Sequence, residues 1–207
     1  MSFPAIILAG GMSKRMGKDK ATLKINNLPL ISHIVDKLKM AGCNEIILQI
    51  KSVEQKKKLK PFISNIKITW SLDEFENGDV LEALYSALKI AKEKGWDWAQ
   101  LMPVDTPYVS PILFEKMPQL FNENIELIIP ASESSKNSPS NGLEPLLCCL
   151  KIVPALSKIS ESLTKKDRRL GKIFSEMNHL IFTPDKWKKW GINSGSFNNL
   201  NRPKDCE

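Results

Sequence analysis

Paired cysteines and histidines are what this 207-residue chain most lacks. Cys43, Cys148, Cys149 and Cys206 form no Cys-x-x-Cys unit, and His33 and His179 are the only histidines. A zinc site of thiolates and imidazoles needs such spacing, so none is expected. Cys148 and Cys149 stand in an apolar segment and are expected to fill core. Free thiols suit a reducing compartment. No apolar run approaches the roughly 18 residues of a membrane span. Met1-Ser2-Phe3-Pro4 brings no basic region before the apolar run Ala5 to Ala9, which is too short for a signal-peptide core. The chain is expected to be cytoplasmic, with no membrane partner.

Two familiar phosphate loops are missing as well. A P-loop ending at Gly17-Lys18 would need glycine at Met12, and Asp19 stands where a serine or threonine would bind Mg²⁺. A dinucleotide fingerprint starting at Gly10 would need its second glycine at Met12. No internal repeat is evident. The net charge of +7 is spread over Lys56-Lys57-Lys58, Lys165-Lys166 and the run 186–189, without a basic stripe interleaved with aromatics. Such runs read as solvated surface, and a nucleic-acid partner is not expected.

What is present is an ordinary globular composition, 42% hydrophobic and 26% charged, enough to bury one substantial core. Residues 3–9 form a continuous apolar run, read as a strand buried on both faces. Residues 29–40 carry apolar side chains at helical spacing, with Pro29 suited to a first turn and Gly42 to a stop. Further strands are expected at 45–50, 66–70, 97–102, 125–130, 143–150 and 179–182. Helices are expected at 52–59, 80–91, 112–121, 153–163 and 168–177. The alternation predicts an α/β domain: a mostly parallel sheet in a three-layer, Rossmann-like arrangement with helices on both faces. Residues 1–207 read as a single domain. Its serine- and asparagine-rich stretch 131–142 reads as a flexible loop.

In such sheets ligands bind beyond the carboxyl ends of the strands. Two polar groups occupy that edge. The stretch Leu8-Ala9-Gly10-Gly11-Met12-Ser13-Lys14-Arg15-Met16-Gly17-Lys18-Asp19-Lys20 combines glycines, whose backbone N–H groups can turn toward phosphate, with the cations Arg15 and Lys20. After the fourth expected strand, Asp105 offers a hard carboxylate suited to Mg²⁺ shared with substrate phosphates.

Residues 8–23 (LAGGMSKRMGKDKATL) followed by Pro29-Leu30 resemble the signature of the molybdenum cofactor guanylyltransferases. Residues 102–111 (MPVDTPYVSP) are similar to that family's metal-aspartate segment. Glu144-Pro145-Leu146, Arg168-Arg169-Leu170 and the tail 197–203 (FNNLNRP) match in the same order. The resemblance implies a nucleotide-diphospho-sugar-transferase-like fold and transfer of GMP from Mg-GTP to the phosphate of molybdopterin, with pyrophosphate leaving. It implies that Leu8, Ala9, Gly10 and Gly11 line the nucleotide. Lys20 and Arg15 would neutralise phosphate charge, and Asp105 would hold Mg²⁺. Asn199, Asn201 and Arg169 would face the pterin. Molybdoenzyme acceptors and cofactor-insertion proteins are the further partners it implies. Gly11 favours GTP, since cytidylyl relatives carry alanine there.

The chain departs from the pattern in two places. The family's nucleotide-contacting aspartate falls by count on Ser71, with Asp73 nearby to serve instead. Its Gly-Pro-Leu-Ala-Gly run is here Gly78-Asp79-Val80-Leu81-Glu82. A related transferase using CTP or a sugar phosphate, or a silent cofactor-binding member of the fold, are the alternatives these departures leave open.

Overall fold

A computed structural model describes residues 2–10, 19–63, 65–73, 79–133, 142–165 and 167–200. Nine strands and seven α-helices follow one another among these residues. The strands are β1 Phe3–Leu8, β2 Lys24–Ile25, β3 Leu28–Pro29, β4 Cys43–Ile50, β5 Lys67–Leu72, β6 Trp98–Pro103, β7 Leu127–Pro130, β8 Cys149–Lys151 and β9 His179–Phe182. The helices are α1 Leu30–Met40, α2 Val53–Leu59, α3 Val80–Glu93, α4 Pro111–Lys116, α5 Ile152–Thr164, α6 Leu170–Ser175 and α7 Pro184–Lys189. β2 and β3 make a two-residue antiparallel hairpin outside the main sheet.

The main sheet runs β5-β4-β1-β6-β8-β7-β9. Its described pairings are parallel except those of β8, which runs against both β6 and β7. The two-residue period of a strand splits β1 between two cores. Ala5 and Ile7 face one core with α1 side chains Leu30, Ile31, Ile34 and Leu38. Ile6 and Leu8 face the other, with Leu81, Leu84 and Leu88 of α3 and Ile152, Ala155 and Ile159 of α5. Helices thus cover both faces, which explains why β1 is apolar throughout. Each fully buried leucine or isoleucine contributes about 1.5–3 kcal/mol relative to exposure. These two cores are therefore what hold the three layers together.

The chain proceeds outward from β1 to β4 and β5, then crosses back to place β6 on the other side of β1. Open α/β sheets form their ligand crevice at such a reversal, which falls here at the carboxyl ends of β1 and β6.

Several elements differ from the sequence reading. The strand expected at 143–150 is reduced to Cys149–Lys151, with Leu143 bridging Ala131 alone. Pro145 has no N–H to give a ladder, and the Leu147 amide turns back to the Glu144 carbonyl at 3.0 Å. The helix expected at 112–121 ends as α at Lys116 and continues as a 3₁₀ turn, Met117–Leu120. Pro118 breaks its α-helical ladder. The helix expected at 168–177 spans only Leu170–Ser175. The lysine run 186–189, expected to be solvated surface, belongs to α7, whose Trp187 is fully buried and donates Nε1–H to the Ala131 carbonyl at 2.9 Å. Of the expected loop 131–142, the two ends pair, with the Ser132 amide on the Gly142 carbonyl at 2.7 Å. Residues 134–141 lie outside the described residues.

Candidate active site

Lys20 is set by a local device. The Asp19 carboxylate accepts from the Ala21 amide at 3.1 Å and caps the 3₁₀ turn Lys20–Thr22, while Ala21 is driven into the core. The turn thereby aims Lys20 along the carboxyl edge of the sheet. Asp105 follows β6, in a turn where buried Thr106 donates its hydroxyl to the Pro103 carbonyl at 3.3 Å. The two meet: Lys20 Nζ donates to Asp105 Oδ2 at 2.9 Å, both side chains partly exposed.

The tail returns to the same place. Phe197 packs on Trp187 with ring centroids 5.1 Å apart. Three residues on, the Leu200 amide donates to the Asp105 carbonyl at 2.8 Å. Asn199 is therefore exposed beside the Asp105 turn. Gly11, Arg15 and Asn201 lie outside the described residues.

On the other side of β1, Ala9 and Gly10 both donate their amides to the Gln49 carbonyl at 2.9 Å. This corrects one expectation from the sequence. At these two positions the N–H groups extend the β1–β4 ladder and are not turned toward a phosphate. The Ala9 carbonyl is also engaged, accepting from buried Gln55 Nε2 at 3.0 Å. Asp73 follows β5, its amide bonded to the Ile50 carbonyl at 2.9 Å. Its carboxylate Oδ1 accepts from Gln49 Nε2 at 2.6 Å. Asp73 Oδ2 lies over Gly10, where an added Cβ would approach it to 3.2 Å. Burial raises the Asp73 carboxyl above its usual range; the Gln49 hydrogen bond opposes this and the Glu82 charge adds to it. Ser71, where counting places the family's aspartate, is buried in the sheet, and its hydroxyl has no partner among the described residues. Asp73 is the carboxylate that reaches the edge.

The second departure is internally compensated. Asp79 and Glu82 form a reciprocal capping box at the start of α3. Arg168 then bridges both carboxylates, at 3.0 Å to Asp79 and 2.8 Å to Glu82. Arg169 is instead paired with Asp167 at 3.0 Å.

One further carboxyl group reaches the site, that of Glu144, which the sequence marks as part of a matching segment without giving it a role. Glu144 lies close enough to Asp105 for the two carboxyl charges to act on each other. Burial raises the Glu144 carboxyl; a Ser132 hydrogen bond opposes the shift and the Asp105 charge adds to it. The sequence signal existed, as the acidic residue before Pro145-Leu146. Gln49 carried one too, as a polar residue in the apolar run IILQI.

The donors at Asp105 fit a hard divalent cation. Asp105 Oδ1 has no protein partner among the described residues, and Mg²⁺ typically takes one or two carboxylates, with water and substrate phosphates completing its shell. Among the described residues no group of three or more metal-ligating side chains occurs. A protein-only cage is therefore not the arrangement offered.

Sheet order, the reversal beside β1 and the polar edge there define an α/β protein of the nucleotide-diphospho-sugar-transferase fold. The chain belongs to the MobA-like NTP transferase domain family, whose model matches residues 5–180. A probable molybdenum cofactor guanylyltransferase of Pyrococcus horikoshii is 28% identical, covering 99% of this chain and 97% of the relative. The molybdenum cofactor guanylyltransferase of Aliivibrio fischeri is 25% identical, covering 98% and 92%. Among solved structures, molybdopterin-guanine dinucleotide biosynthesis protein A of Archaeoglobus fulgidus superposes with a TM-score of 0.74 at 19% identity, covering 98% and 94%. The 4-diphosphocytidyl-2C-methyl-D-erythritol synthase of Anaerococcus prevotii superposes at 0.72 with 14% identity, covering 98% and 94%, so the fold alone does not select the base. Among the described residues, no helix is long and apolar enough to cross a membrane.

Proposed function

We propose that the protein is a molybdenum cofactor guanylyltransferase: it transfers GMP from GTP to the terminal phosphate of molybdopterin and releases pyrophosphate. The observation that carries this is the meeting of Lys20 with Asp105 on the edge that also holds Gly10 and Asp73. Relatives aligned over nearly the whole chain bear that activity in their names.

In the reaction an oxygen of the molybdopterin phosphate forms a bond to the α-phosphorus of GTP. The bridging α–β bond breaks, and its electrons leave with pyrophosphate. The protein's part is positioning and electrostatics, as is general for phosphoryl chemistry. Leu8, Ala9 and Gly10 form the wall that meets the nucleotide, with Asp73 above it, and Gly11 serves the nucleotide with them. Lys20 and Arg15 offset the negative charge that builds around the α-phosphate. Asp105 would hold Mg²⁺, with the Glu144 carboxyl facing the same turn. The bound cation would supply Lewis-acid stabilisation and a template for the phosphates. Asn199 lies on the tail that returns to the Asp105 turn, and it and Asn201 serve the pterin side.

Incubating the protein with Mg²⁺, molybdopterin and each α-labelled triphosphate tests the assignment. Label is expected to move from GTP to the pterin with equimolar pyrophosphate. A strong preference for CTP would replace the guanylyl reading with a cytidylyl one. GTP binding without pyrophosphate release would make the protein a silent carrier.

A further inference from the structure

The topology brings two distant segments to the ligand edge beside β5. β5 runs parallel to β4 and β1 and ends at the carboxyl edge, so α3 begins on that side, at its cap Asp79. α5 starts at the opposite edge, where antiparallel β8 ends against Trp98, and packs along α3. Its 13 residues span about 20 Å and return the chain to the ligand edge just before Arg168. There the Arg168 guanidinium donates to Asp79 Oδ2 at 3.0 Å and pairs with Glu82 Oε1 at 2.8 Å. The other Glu82 oxygen accepts from the Asp79 amide at 3.0 Å, and the side chain is only 13% exposed. Glu82 is thus fully engaged, and its carboxylate is held at the start of the helix.

Charge makes this position costly for an anionic ligand. The Glu82 charge is felt at Asp73, on the edge proposed to meet the nucleotide. Asp73, Asp79 and Glu82 together bring carboxylates to a place where a polyanion must approach. The N-terminus of α3 offsets about half an elementary charge. Arg168 offsets a whole one. Its neighbour Arg169 does not share this task, being paired with Asp167, which Lys172 also holds at 2.8 Å.

We propose that Arg168 is a positioning residue for nucleotide binding: by neutralising Glu82 it keeps the start of α3 open to a triphosphate, so that a carboxylate can stand where the resembling sequences carry glycine. Arg168 acts through Glu82 and makes no contact with substrate in this role. The inference rests on the nucleotidyl-transfer reading and adds to it a pair of residues that the reading does not use.

Calorimetric titration of the intact protein with GTP and with CTP, each with Mg²⁺, tests it at low and at high salt. Arg168→Ala is expected to weaken GTP by roughly 5- to 30-fold at low salt, the scale of one partly screened charge acting on a polyphosphate, and by less as salt shortens the reach of that charge. Adding Glu82→Gln to Arg168→Ala should restore most of the affinity, because a neutral amide needs no counter-charge. Glutamine also keeps the acceptor that the capping box uses, so the helix start is retained. Arg169→Ala should bind GTP as the wild type does. Should Arg168→Ala fail to fold in a thermal melt, Glu82→Gln alone decides; it is expected to bind GTP about 2- to 5-fold more tightly than the wild type, and unchanged binding would overturn the proposal. Wild-type affinity in Arg168→Ala overturns it as well. So does a double variant as weak as Arg168→Ala, which would make the arginine a structural strut, or an equal loss in Arg169→Ala. The charge effect is blind to the base. A protein that prefers CTP, with the same pattern of loss and rescue, therefore sinks the guanylyl reading and leaves the role of Arg168 standing.

Discussion

Lys20 and Asp105 stand 85 residues apart in the chain and 2.9 Å apart in the fold. The first sits on a capped turn after the glycine-rich stretch, the second on the turn that ends β6. Their contact joins the two halves of the proposed triphosphate site across the reversal beside β1. A partly exposed pair of this kind contributes about 1 kcal/mol or less to stability. Its place is better explained by the anionic ligand proposed to lie there.

Lys20→Ala is accordingly expected to lower the rate of guanylyl transfer by on the order of 10²-fold, the usual effect of losing one preorganised charge. Its melting curve should stay near that of the wild type. Steady-state kinetics beside a thermal melt measure both. A normal rate would remove Lys20 from the chemistry.

Gly10→Ala should weaken nucleotide binding more than it weakens the fold. The new methyl would meet Asp73 Oδ2 at 3.2 Å and backbone atoms of Ile50 and Lys51 at 3.4 Å. The carboxylate must yield, because the strand backbone cannot. An increase in KM for GTP of roughly 5- to 30-fold is expected, equivalent to about 1–2 kcal/mol, with kcat largely kept. An unchanged KM would mean that the nucleotide does not meet this edge.

Asp73 carries a signature in the pH dependence of stability. Burial raises its carboxyl above the usual range. For an acid shifted this way, the native state binds more protons than the unfolded one between the two values. Its contribution is therefore full below the unfolded value of about 3.9 and is lost as pH rises through the raised native value. Asp73→Asn should flatten that fall, leaving the variant relatively more stable at pH 7 than at pH 4 while binding GTP less well. Urea titrations across pH 4 to 7 would show it. A variant whose stability falls more steeply over this range contradicts the assignment.

Leu84, fully buried between α3 and the sheet, should matter for folding alone. Leu84→Ala is expected to cost about 2–5 kcal/mol in chemical denaturation. Val80 on the same helix is 40% exposed, and Val80→Ala should stay within about 0.5 kcal/mol of the wild type. Equal effects at the two positions would mean that α3 packs by another face.

The layered fold was readable because hydrophobic period reports burial directly. β1 had to be apolar on both faces, and α1 and α3 carried helical stripes ending in Gly42 and Gly95, both in the left-handed region. α7 escaped because its buried Trp187 stands alone among lysines, with only Thr183-Pro184 to mark its start. The long strand expected before Leu150 failed where Pro145 forced a turn, and a run of apolar residues does not show that. At the site, sequence could name Lys20 and Asp105 separately; only the fold brings them into contact. The sequence assigns no role to Gln49 or Glu144, because their relevance comes from neighbours elsewhere in the fold. Glu82 looked like a liability until Arg168 was placed against it.

Diffraction from crystals grown with GTP and Mn²⁺, collected at the manganese absorption edge, tests the central claim most directly. The account predicts an anomalous peak within bonding distance of the Asp105 carboxylate and of the triphosphate, with the guanine lying against Gly10 and Asp73. A nucleotide bound away from the β1–β6 crevice, or a metal ion that does not touch Asp105, would contradict it.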